Sequence, residues 1–289
     1  MFKIHNVISF IFVLLWSSAF ITSKIIVENA TPFLSLSLRF IFVAFFFFLF
    51  YLIFSDKNNF TLRSIFDASV SGILFHGFYL GGVFYSLYNG ASASLIALIV
   101  SLQPILTSVL AINFLNENLS KLQWVGIILG FFGAVLVILT DFNNDLTFVA
   151  FFAGIIALLS SSLGIIWQKK VASPLSLSSN NFIQALSASF FHIIISFLFE
   201  DYLINLTPSF ILAMTWQIFA VSLGAFLILM WLLQKSKASE TSTLFFLVPP
   251  ISAIMAYVII DETFVFLDIL GLIICSIGVF IVIKCKTTT

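Results

Sequence analysis

The chain has 289 residues, of which 61% are hydrophobic and 8% charged, with acidic and basic side chains in equal number. Soluble domains carry roughly 25% charged residues, so a fold of this length in water would lack the polar surface to cover itself, and its solvent is lipid. A net charge of zero removes any bulk electrostatic case for nucleic acid or acidic partners.

A membrane-crossing helix needs about 20 mostly apolar residues. Breaking the chain at charged and turn residues predicts ten, over 5–26, 33–54, 65–87, 91–114, 121–140, 147–168, 179–199, 209–233, 239–260 and 265–284. The predicted class is therefore all-α and polytopic, with short loops that favour antiparallel neighbours. The first run follows Lys3 and resembles a signal peptide. It is long enough to span and belongs to a repeat described below, so it reads as a retained first helix. Trp16, Ser17 and Ser18 lie near its centre. A central tryptophan is displaced from the interface belt that this residue prefers, and either binds a partner inside the bundle or fills bulk there.

Span two contains "FIFVAFFFFLFYLIF", with one tyrosine hydroxyl as its polar side chain. Arg39 falls about two turns inside its outer end. Such an arginine can clamp a substrate carboxylate bidentately. It can equally snorkel to the headgroups, as Lys24 can, or pair with Glu28. Span three, "DASVSGILFHGFYLGG", has the small and polar composition of a helix–helix interface. His76 is near its middle, with Tyr79 one turn on along about the same face and Gly72 one turn before. Span four carries Gln103 and Pro104 near its midpoint, and "SKLQ" at Ser120–Gln123 predicts a capping box opening span five.

Ser160, Ser161 and Ser162 occupy the middle of span six, where close packing and back-bonding to the helix are the alternative to a site. His192 is near the middle of span seven, and ionisable residues at such depth are functional candidates. For both histidines the alternative is a ring satisfied by a neighbouring carbonyl. Trp216 and Gln217 lie inside span eight as possible wall residues, whereas Trp167, Trp231 and Gln234 read as belt residues at inner span ends. Pro249 and Pro250 interrupt span nine. Cys275 and Cys285 have no metal or redox spacing.

With the N-terminus in the cytoplasm, the inner side carries Lys3, Lys57, Arg63, Lys121, Lys169, Lys170, Lys235, Lys237, Lys284 and Lys286. Ten of the twelve basic residues on one side is the positive-inside bias. It predicts a multi-pass protein of the inner (plasma) membrane with both termini cytoplasmic.

"PILTSVLAINFLNEN" begins at Pro104 and "PPISAIMAYVIIDET" at Pro249, 145 residues later. At that offset Ala93 meets Ala238, Glu117 meets Glu262, Gly126 meets Gly271 and Gly133 meets Gly278. Self-similarity of this kind predicts two units, 5–140 and 147–284. Each holds five spans. Five is odd, so the second unit enters the membrane upside down, as in many secondary transporters. A proline removes an N–H and crowds the carbonyl four residues back. Paired interruptions of this kind point to a midplane site between two halves. Glu117 and Glu262 end spans four and nine, and read as contacts to the next helix.

The two long stretches from "YNGASASLIALIVSLQP" and "KASETSTLFFLVPP" resemble the two EamA repeats of the drug/metabolite transporter superfamily, together with "WSSAFITSK" and "LSLRF". The resemblance implies a ten-helix metabolite transporter, usually an exporter. One departure is that the second copy has Asn181 where the first has Arg39.

These readings give substrate-binding candidates Trp16, Ser17, His76, Tyr79, Gln103, Pro104, Ser161, His192, Trp216 and Pro249, with Arg39 as a possible carboxylate clamp. No carboxylate lies in the middle third of any span, which argues against an acidic proton relay; a proton-coupled cycle would have to use His76 or His192. No phosphate-binding glycine loop is present, so ATP is not the direct energy source. No metal or cofactor is expected. The partners expected are a small solute and the bilayer, with a monomer or homodimer as the assembly. The predicted function is carriage of small neutral or zwitterionic metabolites, amino acids first, in a cavity of aromatic and small residues. A polytopic membrane enzyme acting on lipid-linked substrates and a facilitative channel are the rivals.

Overall fold

A computed structural model describes residues 2–54, 60–115, 119–141, 147–171, 175–237, 241, 244–260 and 266–284. Glu117, Glu262, Lys57, Lys286 and Cys285, named above, lie outside the described residues.

Among the described residues the regular structure is helical, apart from one isolated antiparallel bridge between Ala30 and Ile204. Helices α1 (Phe2–Val27) and α2 (Pro32–Phe54) come first. A continuous rod follows, made of α3 (Leu62–Gly72), a π-helical segment (Ile73–Phe78) and α4 (Tyr79–Tyr88). Next come α5 (Ala93–Ser101), α6 (Gln103–Leu115), α7 (Lys121–Asp141), α8 (Phe148–Val171) and α9 (Leu177–Phe199). A second rod joins α10 (Pro208–Trp216), a π-segment (Gln217–Ala225) and α11 (Phe226–Lys235). A 3-10 turn (Leu244–Leu247) leads into α12 (Val248–Ile260), and α13 (Phe266–Lys284) ends the fold.

Among the described residues, seven helical stretches are long and apolar enough to cross a bilayer, among them Val7–Val27, Leu62–Tyr88 and Pro208–Lys235. Lys121–Gly133 and Leu244–Ile260 are shorter apolar stretches. On α2 the exposed side chains are Ile41, Phe42, Phe45, Phe48, Phe50, Leu52 and Ile53, a surface suited to acyl chains and not to water.

Local chemistry fixes where these helices start. Thr61 and Ser64 form a capping box on α3, and Ser92, Ser176 and Thr207 each accept a backbone N–H at the start of α5, α9 and α10. The box expected at Ser120–Gln123 is formed: the Ser120 N–H donates to Gln123 Oε1 at 2.8 Å, and the Gln123 N–H donates to Ser120 Oγ at 3.2 Å. Helix α2 starts on Pro32, and the Glu200 carboxylate accepts from the N–H groups of Phe33 and Leu34 at 2.8 and 2.9 Å. A carboxylate there complements the helix dipole and ties α2 to the end of α9.

The prolines break span four and open α12 as their chemistry requires. Leu102 alone separates α5 from α6, and Pro104 is the second residue of α6. Pro249 is the second residue of α12, after the 3-10 turn. In a first helical turn a missing N–H costs nothing.

Helix pairing is extensive between α2 and α9 and between α7 and α13. Helix α8 lies against the first rod and against α5 and α6, while α1 lies against the second rod and against α12. The α7–α13 crossing is close: a Cβ on Gly278 would sit 2.6 Å from the Gly126 carbonyl oxygen and 2.7 Å from the Gly130 nitrogen. Side chains at such a crossing must be absent for the backbones to approach.

Candidate functional site

Both rods change from α to π geometry at mid-length, and the side chains they present there converge. Phe75, His76 and Tyr79 from the first rod face Val221, Ser222 and Phe226 from the second. Helix α1 adds Trp16, Phe20 and Ser23, and α2 adds Arg39. They enclose a cavity of about 20 Å³, room for roughly one water. Its walls are aromatic: Trp16 and Tyr79 stack in parallel with centroids 6.5 Å apart, and Phe75 meets Tyr79 edge-on at 5.2 Å. Its polar equipment is small, as expected of a site that orients a ligand with few groups.

Arg39 is the decisive group. It is only 2% exposed. Its Nε donates to Ser222 Oγ at 2.8 Å and its guanidinium lies 5.4 Å from the Phe40 ring. Nη1 has no partner, and among the described residues no carboxylate pairs with Arg39. Snorkelling and pairing with Glu28, the two structural alternatives from the sequence, do not occur. Burial without a counter-charge overrides the usual preference of arginine for the headgroups.

His192 is outside the cavity lining. Its Nε2 is 3.0 Å from the His76 carbonyl oxygen, and Phe33, Phe40 and Phe191 surround its ring. The His76 ring meets Phe226 edge-on at 4.3 Å and Phe40 at 4.8 Å, and Nδ1 of each histidine lacks a partner.

The remaining sequence candidates lie elsewhere. Ser17 Oγ donates to the Val248 carbonyl at 3.3 Å, and Ser252 Oγ donates to the Ser17 carbonyl at 3.2 Å, so this serine stitches α1 to α12. Pro104 and Pro249 are buried in the helix starts described above. Ser161 back-bonds to the Leu158 carbonyl at 2.9 Å. Trp216 is 44% exposed, with its indole N–H donating to Ser18 Oγ at 2.8 Å. Gln103 is fully buried, and both its side-chain polar atoms lack partners, as do the hydroxyls of Thr107 and Ser108 one turn on.

Sequence reading missed Ser222, which holds the arginine, and Phe226, one phenylalanine among 38. Neither carries a local signal. It also gave Gln217 no role beyond a possible wall. The Gln217 amide nitrogen lies 2.8 Å from the Ala19 carbonyl, 2.8 Å from Thr22 Oγ1 and 3.0 Å from Ser23 Oγ, and so joins the second rod to α1. A Gln217→Leu variant is expected to lose about 1–3 kcal/mol, because it leaves buried acceptors unpaired. Thermal unfolding in detergent reads that loss.

A second and larger cavity, about 360 Å³, opens between α3, α8, α9 and α11. Asp67, Ser71, Gln168, Lys169, Asn180 and Gln234 supply its polar lining. Lys169 Nζ donates to the carbonyls of Leu233 and Ser236 at 2.6 and 2.8 Å, capping the end of α11.

Comparison with known proteins supplies the family. The profile of the EamA-like transporter family matches twice, over residues 4–139 and 148–284. The chain belongs to the EamA-like transporter family. An uncharacterized transporter of Bacillus subtilis (strain 168), YvbV, is 26% identical over 206 residues, which cover 69% of this chain and 67% of that protein. An uncharacterized transporter encoded in the trpA 3' region of Buchnera aphidicola subsp. Schlechtendalia chinensis is 24% identical over 246 residues, 83% of this chain and 80% of that one. A crystal structure at 15% sequence identity superposes with a TM-score of 0.77 over 99% of each chain, a likeness of fold. This EamA-like chain is thus a multi-pass membrane protein of a transporter family, consistent with its apolar helices and lipid-suited outer surface.

Proposed function

We propose that this EamA-like protein is a secondary transporter that exports small zwitterionic metabolites, amino acids foremost, by alternating access around the central cavity. The observation that carries the reading is Arg39. A buried guanidinium whose Nη1 has no partner, and which pairs with no carboxylate among the described residues, set in an aromatic box, fits a solute that brings its own carboxylate. In this reading Arg39 clamps the carboxylate, Trp16 and Tyr79 hold the apolar part, and His76 contacts the polar head. Ser17, Gln103, Pro104, Ser161, His192, Trp216 and Pro249 support the movement of the helices and do not touch the solute.

The architecture in this proposal is ten spans in two inverted five-helix repeats. Three things support it: the 145-residue self-similarity, the double family match and the π-segment in each rod. The distribution of Lys and Arg supports cytoplasmic termini in the plasma membrane. The working unit is a monomer or homodimer.

Counterflow of radiolabelled amino acids in proteoliposomes tests the reading. Saturable, trans-stimulated uptake of at least one zwitterionic amino acid is the expected result. Flux that rises linearly with concentration would favour a channel. Absence of flux across the amino-acid set would overturn the substrate assignment.

A further inference from the structure

The residues that line the two cavities follow one another along both rods. Along the first rod, Asp67, Ala68 and Ser71 line the larger cavity, and Phe75, His76 and Tyr79 line the central one. Along the second rod, Val221, Ser222 and Phe226 line the central cavity, and Met230, Leu233 and Gln234 line the larger one. The change-over falls between Ser71 and Phe75 on one wall and between Phe226 and Met230 on the other. At that level stand two buried rings, Phe75 and Phe226, with centroids 5.5 Å apart. Helix α8 backs them: a Cβ on Gly164 would lie 3.0 Å from the Phe75 ring, so the ring has no slack behind it. One turn further along α8, Gln168 and Lys169 already face the larger cavity.

We propose that Phe75 and Phe226 form the inner gate of the solute pathway, and that the larger cavity is a vestibule that receives a zwitterionic solute before the gate opens. The proposal rests on the transporter reading of the central cavity and adds a residue-level gate and a second binding place. The vestibule has the size of a ligand pocket, about 300 Å³ or more. Its Asp67 carboxylate is held only loosely, by an exposed Arg63 at 3.8 Å, and can accept a solute ammonium group. The amides of Gln168, Asn180 and Gln234 supply neutral donors and acceptors around it.

The central cavity, by contrast, is too small in this state for more than a water, so a solute enters it only when the two rings part. The backbone is suited to that movement. Phe75 lies inside the Ile73–Phe78 π-segment, and Phe226 directly follows the Gln217–Ala225 one. Interruptions of this type in a helix have looser hydrogen-bond ladders and recur at functional sites.

Site-directed labelling tests the gate without any solute. In a Cys275→Ser, Cys285→Ser background, Leu177→Cys reports the vestibule, whose wall Leu177 lines, and Ala19→Cys reports the central cavity, whose wall Ala19 lines. Each is reacted with a membrane-impermeant thiol reagent, in inside-out and right-side-out vesicles. From the inner side Leu177→Cys is expected to react readily and Ala19→Cys slowly. Adding Phe75→Ala or Phe226→Ala should speed the inner-side reaction at Ala19→Cys roughly tenfold, as a rarely open state becomes common. Phe226→Trp, which keeps the plug filled, should leave the rate at the parent value.

Phe226→Leu replaces an alanine variant that does not elute as a monodisperse peak. Equal inner-side rates for the two cysteines in the parent would overturn the proposal. So would an unchanged Ala19→Cys rate in the well-folded gate variants. Because no solute is involved, a failed gate and a failed amino-acid assignment give separate results.

Discussion

Replacing Arg39 with methionine is expected to weaken the apparent affinity of amino-acid counterflow roughly ten- to hundredfold while making the protein more stable. The two effects have opposite signs because the arginine is paired with nothing that repays its burial. An arginine inside a membrane helix costs up to about 2.5–3.5 kcal/mol on insertion scales, and here the return is one hydrogen bond to Ser222 and a cation–π contact with the Phe40 ring. Methionine fills similar volume without that cost. Transport moves the other way. Hydrogen bonds to a charged group are worth about 1.5–3 kcal/mol each, so losing the clamp weakens apparent affinity by roughly ten- to hundredfold.

Arg39→Lys keeps the charge but loses the planar fork, and most of the defect should remain. Counterflow and thermal unfolding measured on the same preparations check both signs. A variant that is both less stable and still active would show that Arg39 is a structural residue.

The second large effect is expected at the α7–α13 crossing. Any side chain at Gly278 meets backbone, at 2.6 Å from a carbonyl oxygen, and backbone cannot step aside as a flexible side chain can. Gly278→Ala is expected to cost about 1–3 kcal/mol, and Gly278→Leu more, by forcing the helices apart. Gly224 offers the control. A Cβ there would meet its nearest neighbours at 3.4 and 3.6 Å, which is ordinary contact, so Gly224→Ala should be tolerated. Unfolding in detergent distinguishes the two positions, and equal tolerance at both would remove the idea that α7 and α13 are held by backbone approach.

Much of the fold was legible because lipid as a solvent imposes a coarse rule. Apolar runs of spanning length must be helices, and "FIFVAFFFFLFYLIF" could be read as one from composition alone. The capping box at Ser120–Gln123 and the break before Pro104 were legible for a local reason: each is encoded within four residues. The site was legible only in part. Depth along a span follows from counting residues, and Trp16, Arg39, His76 and Tyr79 were picked on depth. Direction around the helix depends on the tilt and rotation that packing sets.

Gln103 has the right depth yet lies outside the cavity lining, while Phe226 and Ser222 line it without any distinguishing mark in sequence. The π-segments were invisible for a related reason. The residues of "ILFHGF" and "QIFAVSLGA" suit an α-helix as well, and only tertiary contacts decide which ladder forms.

Those two segments also correspond in position. Shifted by the 145-residue offset, Ile73–Phe78 falls within Gln217–Ala225, and each lies in its own match to the family profile. Each rod thus has a joint of the same kind at the matching place, so a bend in one has a counterpart in the other.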